Sequence, residues 1–292
     1  MMHSNANRRD SSSLGLTVGI MCQNNADFLP RLLSQVSPIA EEVLLIDGGS
    51  TDETPKIAST FPNVRLISRP FDGNFAKQRN FGIEQLRSEW MLFLDSDELL
   101  GPNLIAILPD VLASPFHCAR IPRYWLSQEY PPLYVQTPKL YPNYQTRLIR
   151  NRPEIRFDEE RPVHERIRRE NRGPRLTLKY SHILHYCFAW KSREDRRKRC
   201  EFYASIDQGT DYLNQVYFYE DNQHVLRPCR ESWHGESPRV ESQHDLLRER
   251  LQIWTQRRLI SPISRAVTSL RKSRSDSRTA TVRRVPPPGP SS

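Results

Sequence analysis

Four short apolar runs set the terms for this chain. They are Leu16–Cys22, Glu42–Asp47, Val64–Ile67 and Trp90–Asp95. Each is short, nearly continuous and bounded by polar residues, which reads as a strand buried on both faces. Helical patterns separate them. Ala26 to Val36 carries Phe28, Leu29, Leu32, Leu33 and Val36 at helical spacing, with Pro30 in the first turn, where proline is tolerated. Ser50 and Glu53 resemble a capping box that opens a helix to about Thr60. Further helices are expected from Phe75 to about Arg87 and from Pro102 to Leu112. Strands alternating with helices imply a parallel sheet with helices on both faces. Right-handed crossovers place all the strand C-termini on one edge, where such sheets bind ligands. Asn24, Asp47 and Asp95 should therefore line one cleft.

The fourth run drives straight into acids, at Asp95-Ser96-Asp97-Glu98. If the strand period of two continues, Asp95 and Asp97 point the same way. Together they could hold a hard divalent cation, Mn²⁺ or Mg²⁺, of the kind that bridges substrate phosphates. The plainer alternative is an acidic loop capping the next helix. Asp47, at a strand tip, could accept from a base N–H or a ribose hydroxyl, or it could cap the Gly-Ser turn. Asp52 suits a helix start on cap and dipole grounds. Lys77 and Arg79 open a helix and could face phosphates, arginine in a bidentate manner, or lie on a solvated face.

The second half has a different character. Phe116 to Leu126 reads as a strand, and Tyr130 to Tyr144, dense in proline and tyrosine, as a loop or lid. Thr146 to Arg150 alternates like an edge strand, and Leu176 to Tyr186 reads as another strand. Lys191 to Ile206 reads as a charged helix and Leu246 to Leu259 as a basic one. Pro262 to Ser292 is rich in Ser, Arg and Pro and reads as disordered. The net charge of +9 suggests anionic partners. Five cysteines, an odd number with no C-x-x-C pair, argue against a disulfide framework or zinc ribbon and fit a reducing cytoplasm. Met1 to Ser13 has no apolar core of signal-peptide length, and no run approaches the length of a membrane span.

Taken in order, Asn24, the block Leu44 to Thr54 (L-L-I-D-G-G-S-T-D-E-T), Phe75 to Asn80 (F-A-K-Q-R-N) and Leu92 to Glu98 (L-F-L-D-S-D-E) resemble family 2 glycosyltransferases. They have the look of the lipopolysaccharide-core and related bacterial enzymes. The resemblance runs from roughly Leu16 to Ser205. It implies a nucleoside-diphosphate-sugar donor, a divalent metal and inversion at the anomeric carbon. It also implies an α/β GT-A fold, a single Rossmann-like, mostly parallel sheet flanked by helices, with a helical or irregular C-terminal extension. The expected domains are a disordered N-terminus (1–13) and a transferase domain (14–208), followed by a partly helical extension (209–260) and a disordered basic tail (261–292). Within the transferase domain, a nucleotide-sugar half (14–114) precedes an acceptor half (115–208).

Carried over residue by residue, the resemblance assigns Asn24, Asp47, Asp52, Lys77, Arg79, Asn80 and Asp95 to the donor. Asp95 and Asp97 take metal and ribose roles, Asp97 as the direct ligand, with His185 completing the metal shell. The acceptor half carries R-L-x-R at Arg147 to Arg150 and V-H-E at Val163 to Glu165. Glu165 is the candidate base and His164 the alternative, since many members use an aspartate instead. The expected reaction moves a sugar to a hydroxyl of a cell-envelope glycan or glycolipid. The place is the cytoplasm; the basic helix at Lys191 to Arg199 could meet phosphates of donor or acceptor or an anionic inner membrane face, and the tail could meet that face. Rival classes are a non-catalytic nucleotide-sugar-binding module and a basic nucleic-acid-binding protein. The latter leaves unexplained why acids, not lysines, gather at strand tips, and no specific nucleic acid is expected. A nucleotidyltransferase would need a basic Gly-rich loop where Cys22-Gln23-Asn24-Asn25 stands.

Overall fold

The four apolar runs form β1 (Leu16–Cys22), β2 (Glu42–Asp47), β3 (Val64–Ser68) and β4 (Trp90–Asp95) in a computed structural model. It describes residues 15–207, 217–218, 225–234, 237–240, 242–258 and 260. The expected disordered N-terminus (1–13) and basic tail (261–292) lie outside these. The four strands pair in parallel, in the order β3-β2-β1-β4. Val18, Ile20, Leu44, Ile46, Leu92 and Leu94 are fully buried. Burial of each such side chain is worth about 1.5–3 kcal/mol, which is why the runs are continuous rather than alternating. The register sets Cys22 opposite Asp47, Asp47 opposite Ser68, and Met21 opposite Asp95, so the strand tips share one edge.

Helices α1 (Leu29–Val36), α2 (Thr54–Ala58) and α3 (Phe75–Glu84) connect these strands. The capping box expected at Ser50 does not form. Ser50 instead donates to Asp47 through its N–H (3.0 Å) and its Oγ (2.6 Å), so α2 starts later, at Thr54, with no side-chain cap on Glu53. β4 also stops at Asp95. Residues 96 and 97 form a turn before β5 (Glu98–Leu100). The period-two argument for Asp95 and Asp97 therefore lapses at the residue where it was needed.

After α4 (Pro102–Leu112) come β6 (Cys118–Gln128), β7 (Leu133–Gln136) and β8 (Asn143–Arg150). β8 is an interior strand, antiparallel to both β4 and β6, and not an edge. Its arginines made it look exposed, yet Arg147 is buried among carboxylates. The Tyr130 to Tyr144 stretch is not a lid, because β7 pairs with β6 within it. The ring of Tyr134 lies 4.5 Å from that of Tyr124 and 4.8 Å from that of Tyr141, so Tyr134 packs inward, while Tyr130 is exposed.

The strand expected over Leu176 to Tyr186 is two strands, β9 (Arg175–Thr177) and β10 (Ile183–His185). Both join β6. Helices α5 (Cys187–Trp190) and α6 (Arg193–Ile206) follow. Among the described residues of the C-terminal part, β11 (Val225–Pro228) extends the sheet at β7, and β12 (Glu231–His234) pairs with β13 (Ser237–Val240). The main sheet runs β11-β7-β6-β8-β4-β1-β2-β3, parallel from β4 to β3 and antiparallel from β11 to β4 along this path. Residues 243–253 are helical (α7). A second unit begins at Trp254, where residues 254–258 and 260 are helical and the Arg258 guanidinium lies 3.8 Å over the Trp254 ring.

Candidate active site

The β1 and β2 tips are laced together before any ligand is considered. Asn24 sits in the left-handed region (φ 54°), which asparagine tolerates better than most residues. Its N–H donates to Ser50 Oγ (2.9 Å), and its Oδ1 accepts from Thr51 N (2.8 Å). Asp52 accepts from Ala26 N and Thr54 N, both at 3.0 Å. Asn24 and Asp52 thus hold loop to loop. Beside them, Cys22, Gln23, Asn25 and Gly48 line a cavity of about 280 Å³ whose far wall holds Phe71, Gln78 and Phe202. Asp95, Lys191 and Arg199 line it as well.

Of the residues expected at the donor, Asp95 lines this cavity, and Asn24, Asp47, Asp52, Lys77, Arg79 and Asn80 are not among its lining residues. Asn80 is buried, and its amide is spent on the chain beyond β8. It donates to Phe157 O (3.0 Å) and Glu159 Oε1 (2.8 Å), and it accepts from Phe157 N (2.8 Å). Lys77 is exposed, with its Nζ 3.9 Å from Asp72. α3 turns one side toward the sheet and another to water, and of Lys77, Arg79 and Asn80 only Arg79 bonds Asp95 and Glu165.

Arg79 belongs to a buried web of charge. It donates through Nη2 to Asp95 (2.9 Å) and through Nε to Glu165. Arg147 donates to both Asp95 oxygens and to Glu98 (3.0 Å), and Arg123 donates to Glu98 (2.7 Å). Glu98 is fully buried and also accepts Asp95 N (2.9 Å). A local irregularity of β8 puts Arg147 in this web. Ala119 faces Leu148 and Arg120 faces Thr146, which leaves Arg147 as the extra residue of a bulge. Bulges re-aim side chains near active sites. Burial pushes the Asp95 carboxyl up, but Arg147 and Arg79 outweigh it and hold it well below the usual carboxylate range.

Asp97 has different company. Its Oδ2 takes Arg199 Nη1 (3.0 Å) and Lys191 Nζ, and its Oδ1 lies 3.3 Å from His185 Nε2. Burial raises the carboxyl, while Lys191, His185 and Arg199 hold it well below its ordinary value. Burial also pushes the His185 imidazole down, toward the neutral form. Asp97 Oδ1 and both His185 ring nitrogens are buried without a hydrogen-bond partner. Two orphaned donor atoms about 3 Å apart match adjacent ligands of a six-coordinate Mg²⁺-sized ion. Cys187 Sγ lies in the same group, whose ligand atoms fall within 4.8 Å of one another. Burial raises its thiol, so it stays protonated and suits a hard cation poorly. The residues that fit a divalent metal are Asp97 and His185. Asp95, bound by Arg147 and Arg79, is not in this group.

Beside Asp95 lies a second cavity, of about 200 Å³. Asp95, Arg147, His164, Glu165, His185 and Tyr203 line it. His164 also has a left-handed backbone (φ 56°), a strained state for this residue type, and its Nε2 is buried without a partner. Burial lifts the Glu165 carboxyl, but Arg79 holds it below its usual value. Burial lowers the His164 imidazole.

The structure therefore brings together Arg79, Asp95, Asp97, His164, Glu165 and His185 around connected walls, with Asp47 at the neighbouring tip. Glu98, Arg123 and Cys187 were not assigned to the site from sequence. Lys191 and Arg199 were visible as a basic helix, but nothing local marks Arg123 or Glu98 as partners. The cations of α6 are largely engaged within the fold: Arg199 with Asp97, Arg197 with Glu194 and Glu201, and Lys198 with Glu194.

Comparison with known proteins agrees with the family expectation. The model of Glycosyl transferase family 2 matches residues 17–190. A TPR repeat-containing protein of Synechococcus elongatus is 33% identical over 148 residues, which are 51% of this chain and 34% of that one. The lipopolysaccharide core biosynthesis glycosyltransferase LpsC of Rhizobium meliloti is 31% identical over 163 residues, covering 53% of this chain and 57% of LpsC. The chain thus spans a third to somewhat over half of these relatives. Among solved structures, Staphylococcus aureus TarS 1-349 with UDP gives a TM-score of 0.45 at 17% identity over 70% of each chain. The mannosyltransferase PcManGT of Pyrobaculum calidifontis, with GDP-Man and Mn²⁺, gives 0.44 at 14% identity over 70% of this chain and 69% of that one.

Proposed function

Because the chain belongs to glycosyl transferase family 2, we propose that it is a metal-dependent, inverting enzyme that moves a sugar from a nucleoside diphosphate to a hydroxyl of a cell-envelope glycan or glycolipid. The observation that carries this reading is the pair of orphaned, buried ligand atoms Asp97 Oδ1 and His185 Nε2, 3.3 Å apart. They stand at the strand edge where the family expectation places a metal. A divalent ion held there would neutralise charge on the departing diphosphate. The envelope acceptor is supported by the likeness to LpsC. A cytoplasmic location is supported by five free cysteines, four of them buried. No helix among the described residues is long and apolar enough to cross a membrane.

The chain's own groups divide the work. The nucleoside occupies the cavity beside Gly48 and Phe71, next to the β2 tip that ends at Asp47. Lys191 and Arg199 border that cavity and meet the diphosphate. Around the reacting sugar, five cations (Arg79, Arg123, Arg147, Lys191, Arg199) face four carboxylates (Asp95, Asp97, Glu98, Glu165), so the site favours an incoming anion. Arg79, Arg123 and Arg147 hold Asp95 and Glu98 still, so Asp95 can order the sugar or ribose. Glu165, kept ionised by Arg79, takes the acceptor hydroxyl proton as the oxygen attacks in line.

The test is nucleotide release from UDP-, GDP- and TDP-linked sugars with and without Mn²⁺ or Mg²⁺. Wild type should need the ion, and Asp97→Asn should lose about 10²-fold or more in kcat/KM. Undiminished, ion-dependent turnover by Asp97→Asn would remove Asp97 as ligand.

A further inference from the structure

A third cavity, of about 480 Å³, shares a wall with the reaction cavity. Arg79, Gln145, Arg147, Glu165 and Arg166 line both. The donor cavity shares Met21, Phe75, Asp95 and Arg199 with the reaction cavity but shares no lining residue with this third one. The three therefore run in series, with the third on the side away from the nucleotide.

Its lining is strongly cationic. Eight arginines border it, against two carboxylates. Both carboxylates are taken, Glu165 by Arg79 and Asp158 by Arg168 (2.8 Å). Among the described residues, Arg120, Arg161 and Arg166 have no carboxylate within ion-pair distance. Arg120 is instead held over the Tyr144 ring, 4.8 Å from its centre. The two buried arginines of the wall are also incompletely satisfied. Arg79 Nη1 and Arg147 Nε lie out of solvent with no hydrogen-bond partner. Buried guanidinium N–H groups are seldom left bare, since each costs the desolvation of a charged donor.

We propose that this cavity binds an anionic substituent of the acceptor, a phosphate ester or carboxylate carried by the glycan near the hydroxyl that is glycosylated. This rests on reading the adjoining cavity as the transfer site. Guanidinium groups match oxyanions in bidentate geometry, and several converging on one pocket select charge and shape together. The cavity volume of about 480 Å³ fits a sugar-sized group. The acceptor would thus be held at two points, its hydroxyl at Glu165 and its anion among Arg120, Arg161 and Arg166, which orients attack.

The experiment is calorimetric titration of the whole chain with glucose 6-phosphate, glucuronate and glucose, each in the presence of saturating nucleoside diphosphate. Glucose 6-phosphate or glucuronate should bind while glucose does not, and the stronger of the two identifies the anion as phosphate or carboxylate. Arg120→Gln/Arg161→Gln should bind that anion at least about tenfold more weakly, the loss expected for one charge-assisted hydrogen bond. Equal binding of glucose, displacement by the nucleoside diphosphate, or unchanged binding in the double variant would overturn the proposal. Nucleoside diphosphate affinity, measured on the same samples, reports separately on the transferase reading. Its absence would sink that reading without explaining away an arginine-dependent anion site.

Discussion

Glu165 and His164 are adjacent in sequence and compete for one role, and their surroundings separate them. Glu165 is pinned by Arg79, which lowers its pKa against the effect of burial. If it is the base, kcat/KM should stay level from neutrality down through pH 5 and fall only below about pH 4.3, the ordinary glutamate value. His164 titrates below its ordinary value of 6.5 because burial disfavours the imidazolium. With His164 as base, the fall would begin at higher pH than for Glu165, somewhere below the ordinary histidine value of about 6.5. We expect the first profile, and a loss of about 10²-fold or more in kcat for Glu165→Gln. A pH–rate series on wild type and variant checks both. An acid limb above about pH 4.3 that survives in Glu165→Gln would transfer the role to His164. The same scale explains Asn80. Its motif position resembled a donor contact, but its amide completes three hydrogen bonds to the Phe157 to Glu159 chain. A sequence motif specifies that an asparagine is needed, and not what it bonds.

At the scale of elements, α6 is the part whose placement matters most. It carries Arg199 to Asp97, and Lys191 precedes it. Its start is fixed by a reciprocal capping box, in which Ser192 Oγ accepts Asp195 N (3.1 Å) and Asp195 accepts Ser192 N (3.3 Å). Loss of such a cap costs about 1 kcal/mol. Ser192→Ala should therefore lower stability by about that amount in urea unfolding. It should also raise the KM for the donor more than it lowers kcat, because the two cations lose their register on Asp97. A kcat loss with unchanged KM would place α6 outside donor binding. The charged helix was legible from its sequence. That its charges face inward to Asp97 or pair along its own surface was not, because composition does not say which face a helix buries.

At the scale of the molecule, the sheet does not end where the family resemblance ends. Glu231, on β12, is almost fully buried. Its carboxylate accepts Asn103 N at the start of α4 (2.7 Å) and His182 N (2.8 Å), with His182 Nδ1 also 2.8 Å away. It caps a helix that begins at Gly101-Pro102 without a side-chain cap of its own. A Cβ on Gly101 would sit 2.6 Å from that carboxylate, so the close approach requires glycine. Glu249, on α7, similarly accepts Lys179 N and Tyr180 N between β9 and β10. Glu231→Ala should destabilise by about 3 kcal/mol or more, since it strands buried donors 128 and 49 residues away in sequence. Chemical denaturation would measure it, and a change under about 1 kcal/mol would mean that water replaces the carboxylate.

The sequence by itself determined the parallel half of the sheet. Continuous apolar runs alternating with helical spacing admit few other folds, and chain direction then forces Asp47 and Asp95 to one edge. It also marked Asp97, His185 and Glu165 through a family pattern. Only the tertiary structure decided which charges meet. Arg79, Arg123, Arg147, Lys191 and Arg199 come from five separate places, and each reaches its acid across 16 to 102 residues of chain. It also decided that Asp95 and Asp97 part company, because β4 ends between them. Local pattern governs backbone geometry, through propensity and burial within a few residues. Partner choice among buried charges depends on long-range packing, where the desolvation of every ion must be matched at once.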